Sequence, residues 1–351
     1  MRDHPLTNAQ LAELLARMAE DEPTAHRQKA LQRAARSAYQ WPEEASSLLD
    51  EGRSLTELRA VGPWLARVIE TLSNDPAVEP PPPPELRRDF LTLAEVRRTL
   101  AANPDRLPAL RGDLQSHTTY SDGKASLREM AGAAAALGYE YQAVTDHSKG
   151  LPIARGMHEA RLGEQGQDIA AANAELAASG SSLRIVHGIE MNLSPDGEGD
   201  MEPEALARLD LVLGAFHSQL RVTEDQTERY LKALRNPTVN VLAHPRGRRF
   251  NVRLGLGADW ARVFEEAARL DRAVEIDAHL DRQDLNVELL RLAREAGTRI
   301  SIGTDAHSVR ELGFMEFGVA AAIRAGIAPE RILNCMAADE LLAWARETRG
   351  L

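Results

Sequence analysis

Asp113-Leu-Gln-Ser-His-Thr-Thr-Tyr-Ser-Asp-Gly123 is a short apolar run followed by a turn, and it places His117 and Asp122 where the run ends. Another short run, Ile185-Val-His-Gly-Ile-Glu190, ends in a carboxylate. Four further runs end in the same way, in Thr145-Asp-His147, Phe216-His217, Ala243-His-Pro245 and Thr304-Asp-Ala-His307. Histidines and acids that recur at the ends of buried strands are the side chains that a site for several metal ions requires.

The pattern between these runs predicts an α/β fold with a closed barrel. Short β-rich runs alternate with stretches of helical periodicity, which is typical of a parallel sheet. The predicted strands are 112–118, 143–147, 184–192, 211–217, 239–245, 273–278 and 299–305. The predicted helices between them are 126–138, 160–178, 223–235, 259–270 and 285–296. Seven such units favour a (β/α) barrel over a doubly wound sheet, which would carry a glycine-rich phosphate turn, and barrel active sites lie at the carboxyl ends of strands.

The chain before the barrel is predicted to be a small helical domain covering residues 1–76. Within it, Gly52 to Ile69 resembles a helix-hairpin-helix, in which turn amides bind a nucleic-acid phosphate without reading bases. Gly62, Pro63 and Arg67 are the candidate contacts, although Trp64 stands where that motif has its second glycine. The alternative is a helical hairpin that only packs.

Residues 77–110 are predicted to be a linker and a short helix at about 86–102, which leaves residues 111–351 for the barrel. The five consecutive prolines Pro80 to Pro84 favour polyproline II, a semi-rigid spacer. The domain boundaries therefore follow a change in composition.

Composition indicates a cytoplasmic protein without a membrane span. The chain has 351 residues, 43% hydrophobic and 27% charged, and no apolar run long enough to cross a bilayer. Met1 to Leu6 has no apolar signal region, and the single cysteine, Cys335, excludes an internal disulfide. The net charge of -11 argues against coating of nucleic acid by bulk electrostatics, but bound cations would add positive charge that this count omits.

The candidate ligands converge only if the barrel forms, and each is weak alone. A single histidine at a strand end is more often a hydrogen-bonded core residue than a ligand. However, five of the ten histidines fall at five different strand ends, and each lies near a carboxylate. Taken together, these positions favour a metal site. The candidates are Gln115, His117, Asp122, Asp146, His147, Glu190, His217, His244, Asp305 and His307. Imidazole and carboxylate together suit Zn, Mn or Fe.

These segments resemble the polymerase and histidinol phosphatase (PHP) domain across residues 111–351. The likeness is greatest to the version carried by bacterial X-family DNA polymerases, and it extends to Glu275-Ile-Asp277 and Phe314-Met-Glu-Phe-Gly318. Residues 25–72 resemble the helical N-terminal domain of those polymerases. Residues 77–110 leave no room for the polymerase palm with its catalytic aspartates.

The resemblance implies a distorted seven-stranded barrel holding two to three divalent metal ions (Mn, Zn or Fe) and hydrolysing phosphoesters with a metal-activated water. Glu190 would bridge two metals, and Gln115 replaces the first histidine of the family's His-x-His pair, which would weaken the metal it faces. Asp146 and Asp277 are expected to orient ligand histidines. The ligands implied by position are His117, Asp122, His147, Glu190, His217, His244, Asp305 and His307.

The basic residues Lys149, Arg155 and Arg246 near strand ends are candidates for holding a substrate phosphate, with Asp146, Arg155 and Arg246 as the catalytic candidates. The alternative for each basic residue is a solvated surface charge. Two further histidines, His158 and His279, are interpreted as surface or loop residues rather than ligands.

Four functions remain open from the sequence. The first is processing of DNA ends, as a 3'-5' exonuclease or on abasic sites or 3'-phosphates. The second is a small-molecule phosphatase of the histidinol-phosphatase type. The third is a non-catalytic DNA-repair adaptor with a structural metal site, which the nearly complete ligand set disfavours. An amidohydrolase is a weak fourth option, because Gln115 interrupts the His-x-His pair and no lysine ends a strand. The oligomeric state stays undetermined.

Overall fold

The computed structural model describes residues 4–351, which form two compact units that divide between Pro104 and Asp105. The predicted N-terminal domain begins at Met1, and the prediction that the chain lacks a signal region also concerns its first residues. Residues 1–3 lie outside the described part of the chain. In the described range, no helix is both long and apolar enough to cross a membrane. The domain boundaries given by composition remain a prediction.

The first unit consists of helices that pack through small and aliphatic residues. Its helices are α1 (Asn8–Asp21), α2 (Ala25–Ala38), α3 (Ala45–Asp50), α4 (Pro63–Asn74) and α5 (Leu93–Ala101). Thr7 caps α1 by accepting a hydrogen bond from the Gln10 amide, and the Gln10 side chain accepts one from the Thr7 amide. Leu11 on α1 and Leu31 on α2 are almost fully buried, which is the stripe that helical periodicity predicts.

The segment before α4 lacks the first helix that a helix-hairpin-helix would have there. It holds only a three-residue 3-10 turn, Leu55–Glu57, capped by the Ser54 hydroxyl. Ala60 has a φ of +65°, a left-handed conformation that cannot continue a helix. The hairpin-like segment therefore has one regular helix, α4.

The second unit is the predicted barrel, and this prediction is confirmed. Its strands are β1 (Gly112–Asp113), β2 (Tyr141–Val144), β3 (Arg184–Asn192), β4 (Leu211–Ala215), β5 (Val241–Leu242), β6 (Ala273–Asp277) and β7 (Arg299–Gly303). Its helices are α6 (Leu127–Ala136), α7 (Glu159–Ala178), α8 (Pro203–Leu206), α9 (Thr227–Arg235), α10 (Trp260–Arg269), α11 (Val287–Ala296), α12 (Met315–Ala325) and α13 (Ala338–Arg349). Within residues 4–351, the seven strands pair in parallel and in chain order.

Contacts beyond regular pairing close the barrel between β1 and β7. Ser116 and Ala306, just beyond the two strands, form an isolated parallel bridge. Lower down, the Asn334 amide takes the place of a strand: it donates to the carbonyls of Gly112 and Ile302, at 2.9 and 2.8 Å, and accepts from the Ile302 amide at 2.8 Å. A single polar side chain thus satisfies the backbone groups that an open edge would leave unpaired.

One end of the barrel is apolar. The strands start with buried residues such as Tyr141, Leu211 and Val241, which pack in one cluster with Leu341 and Trp344 of α13. Residues of α13 thus pack against the amino ends of the strands.

Candidate metal centre

The histidines and acids predicted from the sequence meet at the carboxyl end of the barrel. Glu190 lies within β3, Asp122 follows β1 by nine residues, and the other members follow their strands by two to four residues. They are brought there because parallel neighbouring strands end at the same edge. The side chains that come together are His117, Asp122, His147, Glu190, His217, His244, Asp305 and His307.

Glu190 lies at the centre of this set, and its two oxygens face different histidines. Oε1 is 2.9 Å from His217 Nε2 and 2.7 Å from His244 Nε2. Oε2 is 3.3 Å from both His117 Nε2 and His147 Nδ1. This placement is what a carboxylate shared by two cations would need.

A second set of donors surrounds His117. Its Nε2 lies 3.0 Å from Asp305 Oδ1, and its ring stacks on those of His147 and His307 with centroids 4.4 and 4.3 Å apart. Asp122 Oδ1 is 3.2 Å from His307 Nε2. Across residues 4–351, three groups could each surround an ion, with donor atoms within 4.8 Å of one another. The groups are His117, Asp122, His147 and His307; His147, Glu190 and His217; and His117, Glu190 and Asp305.

The buried nitrogens of this cluster fit cations better than hydrogen bonds. Both ring nitrogens of His117 and Nδ1 of His147 are buried. None of these three nitrogens has a hydrogen-bond partner among the described residues. The nearby Asp305 oxygen is close to His117 Nε2 but out of alignment for a hydrogen bond. Buried polar atoms without partners are costly, so their convergence points to a group that binds them.

Electrostatics separates the inner acids from the outer ones. Burial raises the pKa of Glu190, but the adjacent rings of His147 and His244 outweigh it, so its pKa lies well below the ordinary value. Glu275 and Asp277 have pKa values well above the ordinary range, because both are fully buried and face other carboxylates. The inner carboxylate is charged, as a ligand must be, while the outer two favour the protonated form.

Gln115 is fully buried beside Glu190. Its amide Nε2 donates to Glu190 Oε2 at 3.1 Å, while Oε1 has no hydrogen-bond partner within the described chain. In this arrangement the amide nitrogen points to Glu190, whereas a metal would be bound by the amide oxygen. The predicted ligand role of Gln115 remains a prediction.

Asp146 and Asp277 do not contact the rings that they were expected to orient. Asp146 accepts hydrogen bonds from Thr118, Ser121 and Gln165, among them Thr118 N at 2.8 Å and Gln165 Nε2 at 2.6 Å. It thus fixes the loop that carries His117 and Asp122, rather than a ring. This expectation is wrong because both carboxylate oxygens of Asp146 accept hydrogen bonds from Thr118, Ser121 or Gln165 instead.

Asp277 instead faces Arg282, a residue that no sequence pattern singles out. Its Oδ2 lies 3.5 Å from Arg282 Nε, and the same Nε lies 3.1 Å from Asp305 Oδ2. Burial lowers the pKa of Arg282, but nearby acids, above all Asp305, raise it by more, so the guanidinium stays charged. Arg282 follows β6 by five residues in an irregular loop, where periodicity carries no signal, although Glu275-Ile-Asp277 marks the strand before it.

The other basic candidates lie outside the cluster. Lys149 pairs with Glu159 at 2.6 Å, Arg155 is exposed, and Arg246 Nη2 donates to the Leu254 carbonyl at 2.9 Å. Of the two histidines interpreted as non-ligands, His158 caps α7 and His279 bonds to Asp281.

The predicted nucleic-acid contacts lie at the start of α4. Gly62 is the N-cap of this helix and Pro63 its first residue, and Arg67 is exposed. A Cβ added at Gly62 would meet nothing within 4 Å, so the backbone there is open to an approaching group. The contact itself remains a prediction.

Comparison with known proteins places this site in context. A family model described as PHP domain matches residues 113–247. The DNA polymerase/3'-5' exonuclease PolX of Bacillus subtilis (strain 168) is 37% identical over 241 residues, which cover 68% of this chain and 42% of that protein. The chain thus spans less than half the length of that relative.

Two further proteins are similar to this chain. A probable phosphatase of Acetivibrio thermocellus is 30% identical over 214 residues, which cover 57% of this chain and 81% of that protein. A crystal structure of histidinol phosphate phosphatase from Lactococcus lactis subsp. lactis Il1403, complexed with zinc, L-histidinol and phosphate, has a TM-score of 0.47 and 19% identity. It covers 62% of this chain and 94% of that chain.

Proposed function

Because the chain belongs to the PHP domain family, we propose that this metal-dependent phosphoester hydrolase acts on the ends of DNA strands. The hydrolytic part rests on one observation above all: each oxygen of Glu190 faces two histidines, so that one carboxylate joins two groups of donors. The metal ions are proposed to be two to three in number and to be Mn, Zn or Fe.

Divalent cations in such a site supply a nucleophile by lowering the pKa of water, and they neutralise phosphate oxygens. The residues of this chain fix where that happens. Glu190 and Asp305 bring charge into a buried space, and the histidine rings around them offer nitrogen donors. Asp146 holds the 118–121 loop in place, and a Cβ at Gly123 would lie 2.6 Å from Thr118 N, so the turn needs glycine.

Arg282 is proposed to hold the substrate phosphate. Its Nε lies 3.1 Å from Asp305 Oδ2, which places the guanidinium at the edge of the donor cluster. Its side chain is 23% exposed, so the residue is accessible from solvent. A planar guanidinium suits two oxygens of one phosphate.

DNA as the substrate is supported by the first unit and by one relative. The start of α4 presents an exposed Gly62-Pro63 step with free first-turn amides, and the exposed Arg67 is one turn away. The Bacillus relative carries 3'-5' exonuclease in its name.

The first test is turnover by protein reconstituted with Mn, Zn or Fe on p-nitrophenyl phosphate and on 3'-labelled DNA. We expect metal-dependent hydrolysis of both substrates. If all three reconstituted forms leave both substrates intact, the proposed hydrolysis is wrong.

A charge reversal tests the DNA contact. Arg67→Glu should weaken DNA binding about 10-fold at low salt, since it replaces a phosphate contact by repulsion. Arg17→Glu changes an exposed arginine of α1 in the same unit and serves as the matched control. Equal affinity of the two variants for DNA would assign the hairpin to packing alone.

A small-molecule phosphatase is the second candidate, favoured by the similarity to a probable phosphatase over 81% of its length. A panel of sugar and amino-alcohol phosphates, assayed beside DNA, separates the two. Higher kcat/KM on a small ester, together with no effect of Arg67→Glu on DNA, would favour this alternative.

A further inference from the structure

A cavity of about 460 Å³ opens beside the candidate metal centre. It shares a wall with that centre, because His217 lines the cavity and its Nε2 is 2.9 Å from Glu190. The lining residues are His217, Gln219, Leu220, Arg221, Val222 and Arg253. Two arginines thus face a space that adjoins the proposed site of hydrolysis.

The loop that carries Arg253 is held in place by its own backbone. Arg249 N donates to Arg253 O at 2.9 Å and Arg253 N donates to Arg249 O at 3.1 Å, which forms a short antiparallel bridge. Leu256 N closes the loop on Arg246 O at 2.9 Å. Gly255 has a φ of +84°, and a Cβ there would lie 2.7 Å from Arg246 O. The position of Arg253 is therefore fixed rather than adaptable.

The same loop is tied to the loop of Arg282. The Arg248 guanidinium donates to the carbonyls of Arg282 and Gln283, and Phe250 N donates to Asp281 O at 2.7 Å. The arginine-lined cavity and the residue proposed to hold the substrate phosphate are consequently parts of one hydrogen-bonded assembly.

The arginines of the cavity carry charge that nearby acids do not neutralise. Arg253 Nε donates to the Gly247 carbonyl and Arg221 Nη1 to the Val252 carbonyl, and neither forms an ion pair with a carboxylate within the described residues. Burial lowers the pKa of Arg253, and repulsion from Arg282, Arg249 and Arg221 lowers it further. A positive pocket on a chain of net charge -11 favours an anion.

We propose that this cavity binds a second phosphate of the substrate, next to the one that is hydrolysed, so that the enzyme prefers nucleotides with two or more phosphates over phosphomonoesters. The proposal rests on the proposed phosphoester hydrolysis. The pocket touches the metal centre through His217, and Arg253 and Arg221 offer guanidinium nitrogens that have no carboxylate partner in the described part of the chain. Arginine forks suit phosphate oxygens, and strand phosphates follow one another along the backbone.

The test measures binding and turnover separately on the Mn-loaded full chain. Binding uses a phosphorothioate-linked dinucleotide with a 5'-phosphate and the same dinucleotide without it. We expect the wild type to bind the 5'-phosphorylated form about 10-fold more tightly, and Arg253→Gln to lose most of this preference. Arg208→Gln is the matched control, since Arg208 is exposed before the start of β4, at the other end of the barrel.

Turnover gives an independent readout. In Arg253→Gln, the ratio of kcat/KM on the 5'-phosphorylated dinucleotide to kcat/KM on p-nitrophenyl phosphate should fall about 10-fold. Equal binding of the two dinucleotides by the wild type, or an unchanged preference in Arg253→Gln, would overturn the second-phosphate pocket. Absent turnover with an intact binding preference would instead overturn the proposed hydrolysis and leave the pocket standing.

Competition with a nucleoside 3',5'-bisphosphate identifies the source of the second phosphate. If the bisphosphate binds more tightly than the dinucleotide and this advantage is lost in Arg253→Gln, the pocket is supported with a small bisphosphate as its ligand. If the bisphosphate binds more weakly than the dinucleotide but still competes through Arg253, the pocket is supported with a strand end as its ligand. Inhibition that Arg253→Gln leaves unchanged contradicts the assignment.

Discussion

The two ends of the barrel are built from opposite materials. At the amino end, α13 covers the first residues of the strands with apolar contacts, including Trp344 against the cluster around Tyr141. At the carboxyl end, Glu190 and Asp305 are as buried as those core residues, yet they face histidines and other acids. Apolar burial stabilises the fold, whereas buried charge stabilises it only when paired or bound to a cation. Stability and chemistry should therefore respond to different substitutions.

The largest effect on activity, at the polar end of the barrel, is expected from Glu190→Gln. The amide keeps the shape but removes the charge that both groups of histidines face. We expect kcat on p-nitrophenyl phosphate to fall about 10³-fold or more, since a metal site is worth several kcal/mol in the transition state. Glu288→Gln, in an exposed ion pair on α11, is the control. Near-normal activity with a full complement of metal would show that Glu190 is not a shared ligand.

The complementary change is Trp344→Ala at the apolar end. Trp344 is buried, and its Nε1 donates to the Asp271 carbonyl at 3.1 Å. Removing it should lower the free energy of unfolding by about 3–5 kcal/mol, while metal content per folded molecule stays normal. Urea denaturation and metal analysis check the two parts. Loss of metal from protein that is still folded would mean that the two ends are coupled.

Asp113, a buried acid on β1, should make the stability of the fold depend on pH. Burial raises its pKa from 3.8 to about 6, although it accepts hydrogen bonds from Thr304 and the Gln115 amide. The folded state therefore binds the proton more tightly than the unfolded state, and stability falls as the pH rises from about 4 to about 6. The loss should be on the order of 3 kcal/mol.

In Asp113→Asn this contribution disappears, because the amide does not ionise. The measurement is the free energy of unfolding of metal-free protein from pH 4 to pH 8, wild type minus variant. A difference that stays constant over this range would contradict the raised pKa of Asp113.

The sequence predicted the convergence of the ligands because each lies at the end of a strand, and strand ends follow from local periodicity. It missed Arg282, since this residue lies in an irregular loop after β6 and reaches Asp305 only in three dimensions. The hydrogen bonds by which Asn334 joins β1 to β7 were not predicted for the same reason. Its partners Gly112 and Ile302 are distant in the chain, and one asparagine in a turn carries no pattern.

Asp146 illustrates how sequence reasoning finds a residue and misjudges its action. It was expected to orient a ligand histidine, but its carboxylate accepts hydrogen bonds from the Thr118 and Ser121 groups of another loop. Thr118 and Ser121 were already visible within the first motif as hydroxyls beside the candidate ligands. Which acid they would meet depends on the register of β1 and β2, which local pattern does not give.

The smallest expected effect is that of Asp146→Asn, which tests this indirect role. The variant should keep its fold but bind metal about 10-fold more weakly, because the loop carrying His117 and Asp122 loses its anchor. Metal affinity measured by competition with a chelator, beside the free energy of unfolding, distinguishes positioning from general destabilisation. Asp168→Asn is the matched control, since exposed Asp168 also contacts this loop through the Tyr120 hydroxyl. Metal affinity within about twofold of the wild type in Asp146→Asn would show that the loop holds its shape without this carboxylate, and the apolar and polar ends would then differ less in their demands on the surrounding structure.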